Sequence, residues 1–269
     1  MNRIDKFFNS NDVKKDGKAL TAYYTCGCPT VEKSAVYINK LIEAGADIIE
    51  LGVPFSDPVA DGVVIQEAAQ NAIEKGVNIQ EVINTTSKIR EKNSNTPIVL
   101  FSYYNIIFKY GVEKTFKEFS EAGGDGVLIV DLPLEEQIEV QKFLERYSLY
   151  LIQLVAPETD EQRLEQIVEQ AKGFIYMVTV NGVTGQRTKL PKDLAEKLQK
   201  VKSKSSVPVL AGFGIANGET AKVAAEFCDG VIVGSAIVKK FLNSEYNAEK
   251  SIQEACKLVS EIKSSLKNS

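Results

Sequence analysis

Asp47-Ile48-Ile49-Glu50-Leu51-Gly52-Val53-Pro54-Phe55-Ser56-Asp57-Pro58-Val59-Ala60-Asp61-Gly62 joins a hydrophobic run to a loop punctuated by proline and glycine. Asp47-Leu51 reads as a buried strand, short and apolar, yet it carries an acid at Glu50. An ionised carboxylate in such a place costs several kcal/mol unless it is paired or put to use. A strand that ends in a carboxylate and opens into a loop holding two more, Asp57 and Asp61, is the first sign of chemistry placed at strand ends.

The same unit recurs outward in both directions. Short β-rich runs fall at Ala19-Tyr24, Ile48-Leu51, Ile98-Phe101, Gly126-Val130, Tyr150-Leu154, Phe174-Val178, Val207-Ala211 and Gly230-Val233. Between them apolar residues recur at helical spacing, as at Val31, Ala35, Ile38, Leu41 and Ile42 before the helix stop Gly45, or Phe116, Phe119 and Ala122 before Gly123. Ile252, Ala255, Val259 and Ile262 mark a last packing helix. Eight such βα units without a composition break or linker predict an α/β chain folded as one domain over residues 1–269, a closed parallel (β/α)8 barrel of the TIM type. The rival is a doubly wound sheet, which usually has fewer strands and an early G-x-G-x-x-G turn; Thr25-Cys26-Gly27-Cys28-Pro29 lacks that spacing. Met1-Phe8, with Ile4, Phe7 and Phe8 on one side, is expected to form a short helix closing the barrel bottom.

Composition narrows the partners. The chain has 269 residues, and 32 Lys and Arg against 36 Asp and Glu give a net charge of -4, so no basic face suited to nucleic acid is implied. No window approaches the roughly 18 apolar residues that span a bilayer, and the N-terminus has no signal-like apolar core, which reads as a soluble, cytoplasmic protein. Four cysteines, only Cys26 and Cys28 of them close in sequence, make no disulfide framework. With no histidine in the chain, a Cys/His metal site and a histidine-dependent triad are both excluded, and no metal is expected.

In a barrel of this kind function sits at the strand C-termini, and two kinds of chemistry gather there. The first is an anion site. Gly182-Val183-Thr184-Gly185 follows the sixth run, Gly212-Phe213-Gly214 the seventh, and Gly234-Ser235 opens a helix after the eighth. Glycines let backbone N–H groups approach a phosphate, and a helix N-terminus adds partial positive charge. Glycine also makes tight βα turns, but three clusters on consecutive strands point to a phosphate monoester substrate. The second is acid/base chemistry: Glu50 on a rigid strand and Asp61 on a loop could exchange protons at different atoms. Asp57 reads as turn chemistry before Pro58, Asp61 is equally explicable as a turn residue before Gly62, and Asp131, before Leu132-Pro133, reads as loop support or a substrate contact. Tyr23, Phe101, Tyr103, Leu128, Leu154 and Tyr176 fall near strand ends, where they could clasp a flat ring or simply fill the barrel.

These motifs together resemble one family. From Ile4-Asp5-Lys6-Phe7 through Glu50-Gly62, Gly182-Gly185, Gly212-Ile215 and Gly234-Val238, the chain is similar over essentially its whole length to the alpha subunit of tryptophan synthase. The resemblance implies retro-aldol cleavage of indole-3-glycerol phosphate to indole and glyceraldehyde 3-phosphate. It gives Glu50 the role of acid/base at the indole ring and the glycerol hydroxyl, and Asp61 that of holding the indole N–H. Phosphate would fall on Gly185, Gly214, Gly234 and Ser235; the indole would lie among Tyr23, Phe101, Leu128 and Tyr176; Thr184 would contact the aspartate from a mobile loop. The partner implied is a beta subunit in an alpha2-beta2 heterotetramer, and pyridoxal phosphate is expected only there, with no cofactor in this chain. Three positions depart from the family pattern: Cys28 where Asp is usual, Val63 where Pro is usual, and Asn181 before Gly182. Val63 and Asn181 border the loops that the resemblance expects to move and to meet the partner. A stand-alone lyase, an inactive subunit that only activates its partner, and an unrelated isomerase of phosphosugars on the same fold are the competing readings.

Overall fold

The computed structural model describes residues 1–10, 17–178, 192–212, 214–242 and 248–267. Its strands are β1 (Ala19–Thr25), β2 (Ile48–Gly52), β3 (Ile98–Ser102), β4 (Gly126–Ile129), β5 in two pieces (Tyr150–Leu151 and Gln153–Val155), β6 (Ile175–Val178), β7 (Val209–Gly212) and β8 (Gly230–Val233). All pairings between them are parallel, and β1 pairs with β8 as well as with β2. The first piece of β5 pairs with β4 and the second with β6, so the sheet returns on itself across Ile152. This is the (β/α)8 barrel that the spacing predicts. The expected strand starts at Phe174 and Val207 come slightly early; β7 begins only after Pro208, which has no N–H to give a ladder.

Alternation along each strand sorts side chains into two layers. Outward residues such as Leu20, Ile49, Leu100 and Val127 pack under the helices, while Ala19, Ile48, Val99, Leu128, Ile152, Leu210 and Ile232 fill the interior. The helix Val31–Glu43 buries Ala35, Ile38 and Leu41 and stops at Gly45, whose φ of +116° is open to glycine at little cost. The last helix, Ala248–Leu266, buries Ile252, Ala255, Val259 and Ile262, as their spacing predicts.

The bottom is closed by the helix Arg3–Phe8. Asn2 caps it by accepting the Ile4 N–H at 2.9 Å, and Ile4 is fully buried among the interior side chains, with Phe7 and Phe8 packed beside it. Asp125, 2 % exposed, fastens the same end: it accepts from Arg3 Nη1 at 2.9 Å, Arg90 Nη2 at 2.7 Å and the Ile98 N–H at 2.8 Å. A hollow of about 990 Å³ opens here around Arg3, Asp47 and Asp125. It lies at the face where barrels carry stability and not chemistry.

Candidate active site

Strand β2 delivers Glu50 into the barrel. Register sets it between Tyr23 of β1 and Val99 of β3, and it points inward with Ile48, two residues earlier. It is 1 % exposed, and neither carboxylate oxygen finds a partner among the described residues. Burial alone pushes its carboxyl from 4.5 up to about 8, so it holds its proton at neutral pH.

Asp61 reaches the same end from the loop after β2. Tyr103, at the end of β3, fixes it: the Tyr103 hydroxyl accepts the Ala60 N–H at 3.0 Å and donates to Asp61 Oδ2 at 3.0 Å. The Tyr103 ring is held in turn by Phe55, 4.8 Å away between centroids. Burial raises the Asp61 carboxyl to about 6, although the Tyr103 hydrogen bond pulls the other way. The ring of Tyr103 is legible in the sequence as a mouth aromatic; the grip of its hydroxyl on the loop is not, because the fold alone brings residues 61 and 103 together.

Two tyrosines lie over glycines of neighbouring strands. A Cβ on Gly52 would come within 2.2 Å of the Tyr23 hydroxyl, and one on Gly212 within 2.4 Å of the Tyr176 ring. Gly212 therefore seats an aromatic wall, a task distinct from the phosphate contact expected of the glycines after the seventh strand. Burial raises both phenols, and Glu50 and Asp61 both add to the effect, which puts both hydroxyls within electrostatic reach of the two acids. Phe101 meets Tyr23 edge-on at 5.0 Å and pairs in register with Leu128, which is fully buried in the interior. Tyr23, Phe101, Leu128 and Tyr176 thus share the inner surface of the barrel with Glu50.

The remaining expected residues divide. Gly234 and Ser235 open the helix Ser235–Leu242, with the Ile237 and Val238 N–H groups bonded to the Gly234 carbonyl and no acidic residue in the first turn. The nearest atoms to a Cβ on Gly234 would be those of Ile65 and Tyr23, at 3.7 Å, so this helix end faces the side of the site where Tyr23 stands. Gly214 is exposed just beyond β7. Gly185 and Thr184, with Asn181, lie outside the described residues. Asp131 accepts the Tyr104 N–H at 2.7 Å at the start of the helix Tyr104–Tyr110, the geometry of loop support. Asp57 is exposed and accepts from the Ser56 hydroxyl, the local bonding of a turn. Cys26 and Cys28 are buried and unlinked, and burial pushes their thiols up to about 11 and about 12, far from the reactive thiolate range.

A protonated buried carboxyl, a loop carboxyl held by Tyr103 and a set of buried aromatic rings thus gather at one end of the barrel, with a glycine-led helix end beside Tyr23. The family model for the tryptophan synthase alpha chain matches residues 9–267. The chain belongs to the tryptophan synthase alpha chain family. A relative from Caldanaerobacter subterraneus subsp. tengcongensis is 46 % identical over 264 residues, covering 98 % of this chain and 96 % of its own. The alpha subunit structure from Legionella pneumophila str. Paris is 34 % identical, with a TM-score of 0.92 and full coverage of both chains. A chain from the Pyrococcus furiosus tryptophan synthase a2b2 complex is 33 % identical with a TM-score of 0.82, covering 92 % of this chain and 98 % of its own. Membership makes this chain a carbon–carbon lyase of tryptophan biosynthesis that cleaves indole-3-glycerol phosphate by an aldol-type reaction.

Proposed function

We infer that Glu50 and Asp61 divide the proton and charge work of this cleavage, and that the unpartnered, protonated carboxyl of Glu50 is the observation that carries the reading. Glu50 delivers its proton to C3 of the indole ring. The ring then carries positive charge at its N–H, and the Asp61 carboxylate stands against it, so the interaction is stronger in the transition state than in the ground state. Glu50, now ionised, takes the proton of the hydroxyl on the carbon attached to C3. The C3–carbon bond breaks, its electron pair returns to the ring, and indole and glyceraldehyde 3-phosphate remain. The net movement is one proton from hydroxyl to ring carbon, and these steps need no group beyond the chain's own residues.

Binding follows the same division. Tyr23, Phe101, Leu128 and Tyr176 form the slot for the ring, and Gly214, Gly234 and Ser235, with Gly185, receive the phosphate through backbone N–H groups and the helix dipole. The chain acts as a single domain in the cytoplasm, where unlinked cysteines fit a reducing environment. Its partner is a beta subunit bearing pyridoxal phosphate, in an alpha2-beta2 assembly. The surface for it is supplied by the loops and helices after β2, β3 and β4, which expose Val59 (88 %), Val63 (78 %), Phe108 (65 %) and Ile138 (79 %).

The test is to mix the purified chain with indole-3-glycerol phosphate, with and without a beta subunit, and follow indole release. Indole should form in both, faster with the beta chain. No indole in either mixture overturns the roles given to Glu50 and Asp61.

A further inference from the structure

Above Ala19, the inward face of β1 is a run of hydroxyl groups: Thr21, Tyr23 and Thr25, none of them more than 5 % exposed. The middle one is held firmly. The Tyr23 ring lies over the missing side chain of Gly52, meets Phe101 edge-on and stands beside Gly234, so its hydroxyl is delivered to the end of β2, where the loop bearing Asp61 begins. Its oxygen accepts from the Thr25 hydroxyl at 3.4 Å. In that bond the Tyr23 oxygen is the acceptor, which leaves its own proton to donate. The groups that act on this phenol electrostatically are Asp61, Glu50 and Tyr103, with Asp61 first among them.

We propose that Tyr23 is a positioning residue for Asp61: with substrate seated, its hydroxyl donates to the Asp61 carboxylate and, with Tyr103, aims it at the indole N–H. A carboxylate accepts at about four lone-pair positions, so two tyrosines and the ring N–H are accommodated together. The loop aspartate is then gripped from two strands, β1 and β3, and the position its charge must occupy as the ring becomes cationic is fixed before the proton moves. This rests on the role given to Asp61 above.

Tyr23→Phe tests it, because the ring keeps its place over Gly52 and against Phe101 while only the hydroxyl is lost. The kcat for indole release should fall about tenfold, the size expected for one hydrogen bond to a charged group, with KM nearly unchanged. The Kd for glycerol phosphate, which occupies the phosphate end alone, should stay within twofold of the parent. Thr25→Val, removing the hydroxyl that Tyr23 accepts from, should produce a smaller fall of about threefold in kcat. In an Asp61→Asn background, Tyr23→Phe should cost less than twofold, since the two groups act as one unit. An unchanged kcat in Tyr23→Phe, a matching loss of glycerol phosphate affinity, or the same tenfold loss on top of Asp61→Asn overturns the proposal. If Asp61→Asn itself keeps the parent rate, the role of Asp61 fails first, and Tyr23 with it.

Discussion

Glu50 and Asp125 are both carboxylates sealed inside the same barrel, 1 % and 2 % exposed, at opposite ends. Asp125 at the bottom is met by two guanidinium groups and a backbone N–H. It ties the N-terminal helix to β3 and to the helix Ile79–Arg90. Glu50 near the top is met by nothing among the described residues. The difference separates a buried charge that the fold has compensated from one it has left to burial alone. Compensation makes structure and removes reactivity. An uncompensated carboxyl keeps its proton and has it to give.

The contrast breaks most sharply under substitution. Glu50→Gln should lower indole release by about 10³-fold or more, within the range of a lost general acid/base, while glycerol phosphate still binds. Removing one member of a buried, hydrogen-bonded ion cluster costs about 3–5 kcal/mol. Asp125→Ala should therefore destabilise the fold by that much in urea titration, yet the folded fraction should turn over at the parent rate. Asp61→Asn, which keeps shape and loses charge, should cost about 10²-fold in kcat.

The pH dependence sharpens the same comparison. Activity needs Asp61 ionised and Glu50 protonated in the free enzyme, so kcat/KM should fall below about pH 6 and again above about pH 8, giving a bell centred near neutrality. The Glu50 carboxyl is raised in the folded state, so the unfolded chain releases its proton first; stability falls as pH rises from about 4.5 to about 8, by about 4 kcal/mol across that window. Glu50→Gln should remove this decline and melt higher than the parent at pH 8. The smallest of these effects is that of Gly234→Asp: about tenfold weaker glycerol phosphate binding, from a negative charge placed at the helix end.

Much of this arrangement is legible in the sequence, for physical reasons. The barrel is readable because each βα unit repeats its period of two and then of 3.6, and because a glycine closes helices at Gly45 and Gly123. Glu50 is readable because a charge inside an apolar strand is locally anomalous. Asp61 is not, since Asp before Gly is ordinary turn chemistry; its distinction depends on Tyr103, 42 residues away, and on burial that only the closed barrel supplies. The glycines show the same limit. Gly212 belongs to a motif that reads as an anion site, and the structure sets it under the Tyr176 ring. A glycine needed for a neighbour's side chain looks, in sequence, like one needed for a ligand.

The protonation state of Glu50 tests the account most directly. Difference infrared spectra of the parent against Glu50→Gln isolate the carboxyl stretch of this one residue across a pH series. The expected result is a carboxyl protonated at pH 7 that ionises near pH 8. A band already ionised at pH 7, titrating near the ordinary glutamate value of about 4.3, would contradict it.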